Sequence, residues 1–345
     1  MKASRNPFIL YLWGYDWTGR TTRAQFLIVA GFSLAPIGIG RLLGVDYLDG
    51  GPEALALTLW GALAVVPLIG HSLRRLGDAG LSAWLVWSAA VPVVNLALLA
   101  VLIFAPTNPR RLAEASQIRL LGYPVGAVIA CLVLSRIWLV PVLVDTADME
   151  PLLEPGDIVM VWRGGDVPPA GDLIVLRDPT DKAAIIRRVI ATGPDTVELV
   201  QGVPATQDGP ASHIPSGFDE TIMAPEGPKG VMPRCLTGSV GQGALCQRRL
   251  VTEVLPNGAT YLLFDTGAVP LDTMQAREVA AGQLFVLSDN RDQAVDSRIA
   301  VAAGGIGMVE ASAIRGEPAF VVASFAGRWV WQVWTWRPER FLKGV

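Results

Sequence analysis

The sequence predicts an N-terminal α-helical transmembrane region followed by a mainly β C-terminal domain, and three observations carry this. The 345-residue chain is 51% hydrophobic and 17% charged, with a mean hydropathy of +0.42, too apolar for an ordinary soluble protein. Long apolar runs stop near residue 145; beyond it come short β-like runs punctuated by Gly and Pro. Charge divides at the same place, with 11 Lys and Arg against 6 Asp and Glu up to Val144, and 17 against 25 after it. A basic apolar half joined to an acidic half argues against nucleic-acid binding, which needs a clustered basic face.

The opening residues MKASRNPFILYLWGYDWTGRTTRAQF lack a small-residue cleavage site after a short apolar core. They read as an interfacial segment with Trp13 and Trp17 at the lipid headgroups, not as a removable signal peptide. A first apolar run covers 26–44, with Arg41 near its end, where a long side chain reaches water. The linker 45–53 carries only acidic charges, and a second run, 54–73, leads into the basic turn SLRRLGDAG. The third run, 81–105, is broken by Pro92 and Asn95; a fourth covers about 120–144, after NPRRLAEASQIR. Lys and Arg favour the cytoplasmic side, which would hold Arg20, Arg23, Arg74, Arg75, Arg110, Arg111 and Arg119. All of them lie inside only if the third run turns back near Pro92 to Asn95. The large domain is then exported, whereas a single crossing would leave it in the cytoplasm.

The expected domains are a helical membrane domain at 1–117, a transmembrane anchor at 118–144 and a β domain at 145–345. Strands are predicted at 157–162, 173–177, 184–190, 197–200, 260–264, 284–287 and 319–324. Pro256, Asn257 and Gly258 follow a short run at 251–255, and Asn-Gly is a strong hairpin signal. Residues 201–250, rich in Gly, Pro and Ser, read as a loop-rich insertion. The terminal RWVWQVWTWRPERFLKGV is either a capping element of the β domain or an interfacial anchor. Cys131 reads as a small buried hydrophobe. Cys235 and Cys246 are a candidate disulfide if their loop lies outside the cytoplasm. His71 and His213 have no metal-ligand companions, and neither a metal nor a cofactor is expected.

Chemistry concentrates at 288–298, SDNRDQAVDSR, where three Asp, two Arg, an Asn and two Ser follow an apolar strand. Such a stretch is either a solvated acidic turn or a set of ion pairs bracing a site, because buried charges need partners. It resembles the GDNRDNSxDSR signature of the bacterial signal peptidase I family, and three other segments match that family in order. VDTADMEPLLEPGDIVMV at 144–161 resembles SM-x-P-T-L-x-x-GD, AGDLIVLRDP at 170–179 resembles RGDIVVF, and IIRRVIATGPD at 185–195 resembles IKRVVGLPGD. WTGRTTRAQF and RRLGDAGLSAW, followed by PVVN, are similar to the family called domain of unknown function 805, which implies no activity.

The resemblance implies a signal-peptidase-like β domain on the periplasmic side of a bacterial inner membrane. That in turn implies a re-entrant third run in a multi-pass chain. The family uses a Ser nucleophile and a Lys base whose burial lowers its pKa. Aligned residue by residue, the nucleophile position holds Asp148 and the base position Arg187. The Ser that orients the Lys is replaced by Ala294, the leading Gly by Ser288, and the oxyanion hydroxyl corresponds to Thr146. Arg188, Asp289, Asn290, Arg291, Asp292, Asp296, Ser297 and Arg298 remain as structural support, and Met149 and Pro151 fall in the substrate-binding segment. A guanidinium cannot act as a base, and none of the four lysines, Lys2, Lys182, Lys229 and Lys343, falls at the base position. The expectation is an Asp148–Arg187 ion pair in a non-catalytic homologue that binds signal peptides or preproteins at the lipid bilayer. The alternatives are an active peptidase using Thr146, Ser288 or Ser297, and a structural membrane protein with a periplasmic platform.

Overall fold

The computed structural model describes Ile9, Gly14 and residues 20–90, 94–106, 115–179, 182–236, 238 and 241–345. Trp13, Trp17, Pro92, Arg110 and Arg111 lie outside the described residues. The chain divides into two compact units, Met1–Trp138 and Leu139–Val345.

In the first unit, α1 (Arg23–Leu42) starts at a capping box in which Thr22 Oγ1 accepts from Gln25 N and Gln25 Oε1 accepts from Thr22 N. Helix α2 (Pro52–Ala79) has Pro52 in its first turn and ends at Gly80, whose φ of 73° is the left-handed stop that favours glycine. Both are long and apolar enough to cross a membrane. The third apolar run holds a 3₁₀ segment, Ala83–Ala90, and helix α3 (Val94–Phe104); α4 (Ala115–Leu134) follows. Phe26, Ile69, Leu73, Leu76, Val86, Leu98 and Leu102 form the core.

Polar contacts fix the direction of each helix. Arg23 donates to Phe104 O at 3.1 Å and to Ala105 O at 3.0 Å, while Arg75 donates to Leu102 O at 3.0 Å and also to Ala105 O. The last carbonyls of α3, which lack helical partners, are therefore capped by Arg23, the first residue of α1, and by Arg75, near the end of α2. Thr21 N donates to Asp78 at 3.0 Å, and Ser33 donates to Ala64 O, so α1 and α2 are antiparallel. A Cβ at Gly126 would stand 3.8 Å from Val66 and Ile69, and one at Gly61 would stand 3.6 Å from Val133, so α4 runs antiparallel to α2. The starts of α1 and α4 and the ends of α2 and α3 thus share one face of the unit, and α4 ends at the other. Cys131 is exposed on α4 instead of buried. A run that is apolar on every side does not reveal which side faces lipid.

The second unit opens with β1 (Leu139–Leu143), a strand where the sequence reads the end of the membrane anchor. It pairs with β2 (Asp157–Arg163) and buries Val140 and Val142; as an edge strand it accommodates Pro141. A seven-stranded antiparallel sheet runs in the order β1, β2, β14 (Gly316–Ser324), β3 (Leu173–Arg177), β4 (Ala184–Thr192), β12 (Gln283–Leu287), β13 (Val309–Glu310). Strand β12 explains its uninterrupted apolar sequence: Phe285 and Leu287 enter one core cluster, Leu284 and Val286 another. A four-stranded sheet contains β5 (Asp195–Val200), β6 (Val203–Thr206), β7 (Gly209–Pro210) and β11 (Met274–Val279).

The remaining sheet joins β8 (Ser212–Ile222), β9 (Leu245–Val254) and β10 (Thr260–Asp265). Much of it lies in the stretch expected to be loop-rich, because β8 is exposed along most of its length and shows no apolar alternation. The β9–β10 hairpin turns at Asn257 and Gly258, with Ala259 N donating to Asn257 Oδ1 and Gly258 at φ 90°. Cys235 and Cys246 are disulfide-bonded. The C-terminal segment lies along β14, with Arg340 clamped to Asp157 at 2.5 Å and to Glu154 at 2.6 Å, while Trp329, Trp331 and Trp334 stay exposed.

Candidate functional site

Strand β12 delivers residues 288–298 to the interior, and each charge there is answered by a partner. Arg298 binds Asp296 through Nε at 2.8 Å and Nη2 at 3.0 Å, and its Nη2 also donates to Arg291 O at 2.5 Å. Arg188, reaching across from β4, grips Asp289 at 2.7 and 2.5 Å, donates to Gly171 O at 2.6 Å and lies 3.9 Å above the Tyr261 ring. Arg291 holds Glu253 at 2.8 and 2.5 Å and donates to Gly202 O. Asp292 accepts from Thr266 N at 2.6 Å and Oγ1 at 2.7 Å. The knot is a buried brace, not a solvated turn, with Asp289, Arg291, Asp296 and Arg298 all under 5% exposed.

Asn290 ties this brace to the segment before Met149. Its Nδ2 donates to Ala147 O at 3.0 Å and its backbone N to Asp148 O at 2.9 Å. The Asp148 carboxylate then meets Arg187 of β4, Nη2 to Oδ2, at 2.7 Å. Arg187 is held by backbone on its other sides: Nε and Nη2 donate to Val295 O at 3.2 and 2.9 Å, and Nη1 to Ile186 O at 2.7 Å. Ala294, 7% exposed, lies beside that Val295 carbonyl and adds no polar group. The Arg187 side chain is 3% exposed and that of Asp148 16%, so the pair plugs the site at its rim.

The three candidate hydroxyls differ in access. Ser288 and Ser297 are wholly buried, Ser297 Oγ accepting from Val286 N at 3.0 Å and Ser288 Oγ having no hydrogen-bond partner among the described residues. Thr146 is half-buried. Lys229 pairs with Asp145 at 2.9 Å and is about half exposed. Met149, expected in the substrate-binding segment, is 2% exposed and packs into the core, while Pro151 is half-buried. The turn directs Met149 inward so that Asp148 can face the rim.

Two inward carboxylates escape a motif-based reading. Burial would raise Glu253, but Arg291, with hydrogen bonds from His213, Arg291 and Tyr261, holds it down at about 2. Burial pushes Glu150 up to about 7 against the pull of Arg248, which it meets at 2.6 Å. Glu253 alternates with Val251 and Leu255 on the apolar face of its run, a signal legible in the sequence; Glu150 carries no such signal. Asp289 is likewise raised by burial, opposed by Arg188.

This geometry can be set beside known proteins. Residues 117–323 match the family model "Signal peptidase, peptidase S26", and residues 14–113 match "Protein of unknown function (DUF805)". The chain is 28% identical over 154 residues to signal peptidase I of Rickettsia bellii (strain OSU 85-389), covering 41% of this chain and 46% of that protein. It is 29% identical over 154 residues to signal peptidase I of Rickettsia prowazekii (strain Madrid E), covering 41% and 50%. The chain thus spans about half the length of these curated relatives. A crystal structure of a signal peptidase I from Enterococcus faecalis V583 aligns at 18% identity and a TM-score of 0.23, over 45% of this chain and 98% of that one. The family model covers more than half of the chain, including the buried brace at 288–298 and both partners of the Asp148–Arg187 pair, and the chain belongs to the signal peptidase, peptidase S26, family.

Proposed function

We propose that the chain is a membrane-anchored, non-catalytic member of this family that binds extended peptides such as the signal segments of preproteins. The observation that carries the reading is the Asp148–Arg187 ion pair of 2.7 Å at the positions where the family resemblance expects nucleophile and base. A buried guanidinium already bound to a carboxylate and two carbonyls cannot accept a proton. A carboxylate attacking an amide would form a mixed anhydride, less stable than the bond it replaces. The brace around the site is retained, so the scaffold can still hold an extended segment, as strand-pairing recognition does.

The same reading puts the β domain on the periplasmic side of a multi-pass inner-membrane protein. Capping of α3 by Arg23 and Arg75 supports a third apolar run that returns to the face it left. The arginines of that face mark it as cytoplasmic, and α4 leads away from it. The Cys235–Cys246 disulfide accords with an oxidising compartment.

The test incubates the full chain in detergent with a preprotein whose signal ends in Ala-x-Ala, following crosslinking and cleavage together. Crosslinking without cleavage is expected. The triple change Asp148→Ser, Arg187→Lys and Ala294→Ser is expected to give detectable cleavage. Cleavage by the unmodified chain would overturn the reading, and absence of crosslinking would favour a platform role for the β domain.

A further inference from the structure

The helical unit contains a cavity of about 290 Å³, walled by Phe26 and Leu34 of α1, Leu99 of α3 and Ile129 of α4, with Ser72 and Asn95 as its polar side chains. Along α1 its wall extends from Phe26 to Leu34. From Phe26 to Leu34 is eight residues, about 12 Å at 1.5 Å per residue, close to the roughly 15 Å depth of one leaflet of the hydrocarbon core. Leu34 is 41% exposed, so the cavity is reached sideways from the surrounding lipid.

One end of the cavity is collared by arginine. Phe26 is one turn from Arg23, Ser72 is one turn from Arg75, and Leu102, also in the wall, gives its carbonyl to Arg75. Arg23 and Arg75 donate to backbone carbonyls, which carry no net charge, and Asp78 is the carboxylate that acts on Arg75 among the described residues. Arg75 is wholly buried, and its Nη1 has no hydrogen-bond partner among the described residues. Among residues 20–23 and 74–78 there are four arginines and a single carboxylate, Asp78. We propose that this cavity seats an acyl chain of an anionic glycerophospholipid from the leaflet on the arginine side, with the phosphate at Arg23 and Arg75. A length of one leaflet argues for a lipid chain, and the collar argues for a negative headgroup. The assignment requires that the unit lies in a bilayer, and it is independent of whether the β domain binds or cleaves peptide.

The test is native mass spectrometry of the full chain in mild detergent, titrated with phosphatidylglycerol or with phosphatidylcholine of the same acyl chains. Phosphatidylglycerol should be retained more tightly, and Arg23→Gln should reduce that preference about fivefold. Ala89→Phe, which adds bulk to the cavity wall, should reduce retention of both lipids. Because either variant could perturb folding, the unmodified chain is also crosslinked with phosphatidylglycerol carrying a diazirine on its acyl chain. Adducts on Leu34, Leu99 and Ile129 are expected. Equal retention of the two lipids, or adducts spread evenly to outward residues such as Leu27 and Leu63, would mean annular lipid only and would overturn the proposal.

Discussion

Arg187 enters the site from β4 almost wholly buried, whereas Asp148 keeps 16% of its side chain in solvent, so the two halves of the pair carry unequal burdens. Losing Asp148 strands a buried guanidinium on carbonyl partners alone. A fully buried broken pair costs about 3 to 5 kcal/mol, and rim exposure brings this one below that range. Arg187→Met should be milder, because its orphaned carboxylate can hydrate. Thermal or denaturant unfolding of Asp148→Asn, Arg187→Met and the double variant should show a coupling of about 1 kcal/mol or more; additivity within roughly 0.5 kcal/mol would separate the residues energetically. Glu150 makes a second prediction. Its carboxyl, buried between Arg248 and the acidic Glu226 and Glu154, is raised from an ordinary 4.5 to about 7. The folded chain therefore holds this proton more tightly than the unfolded chain, and stability gained from it grows as pH falls from above 7 towards 4.5. Glu150→Gln should flatten the difference in unfolding midpoint between pH 8 and pH 5.5; an unchanged slope would assign that pH dependence elsewhere. The contact between Asp148 and Arg187 was expected from motif alignment. The environment of Glu150 was not, because the residues that bury it arrive from β9 and from the loop at 226.

Elements were legible where burial imposed a period on the sequence. Strand β3 occupies residues 173–177 as its apolar run predicts, and the turn at Asn257 and Gly258 falls where positive φ is required. Strand β8 was hidden because Ile214, Phe218 and Ile222 all stay exposed, leaving no alternation to read. Strand β1 was hidden for the opposite reason: LVPVL continues the apolar composition of the helix before it, and only pairing with β2 distinguishes strand from span. This has a measurable consequence for a soluble fragment. A piece beginning at residue 145 loses Val140, Val142 and Val144, all at least nine-tenths buried, and the bonds Val144 N to Asp157 O at 2.8 Å and Gly156 N to Val144 O at 2.7 Å. At about 1.5 kcal/mol or more for each buried Val, the loss amounts to several kcal/mol. A fragment of residues 139–345 should unfold at clearly higher denaturant than one of residues 145–345. Equal midpoints would make β1 a passive edge.

For the whole molecule, the decisive quantity is the number of times the chain crosses the bilayer before Leu139. Charge statistics alone left two answers, because 81–105 is long enough to span and is also interrupted. The helical unit favours one of them through a specific contact: the carbonyls that end α3 are capped by Arg23, at the start of α1, and by Arg75, near the end of α2. A crossing segment would put those carbonyls about 30 Å away, far beyond the reach of either guanidinium. The chain therefore enters and leaves the third run at one face of the helical unit, and on the proposed topology α4 would supply the crossing that carries the β domain outward. In a Cys131→Ser background, single cysteines at Leu81 and at Pro106 should react with a membrane-impermeant thiol reagent from the cytoplasmic side only, and one at Asp49 from the periplasmic side only. A reporter fused after Val345 should be active in the periplasm. If Leu81 and Pro106 label from opposite sides, the third run crosses, the β domain faces the cytoplasm, and the Cys235–Cys246 disulfide would have to persist against a reducing pool.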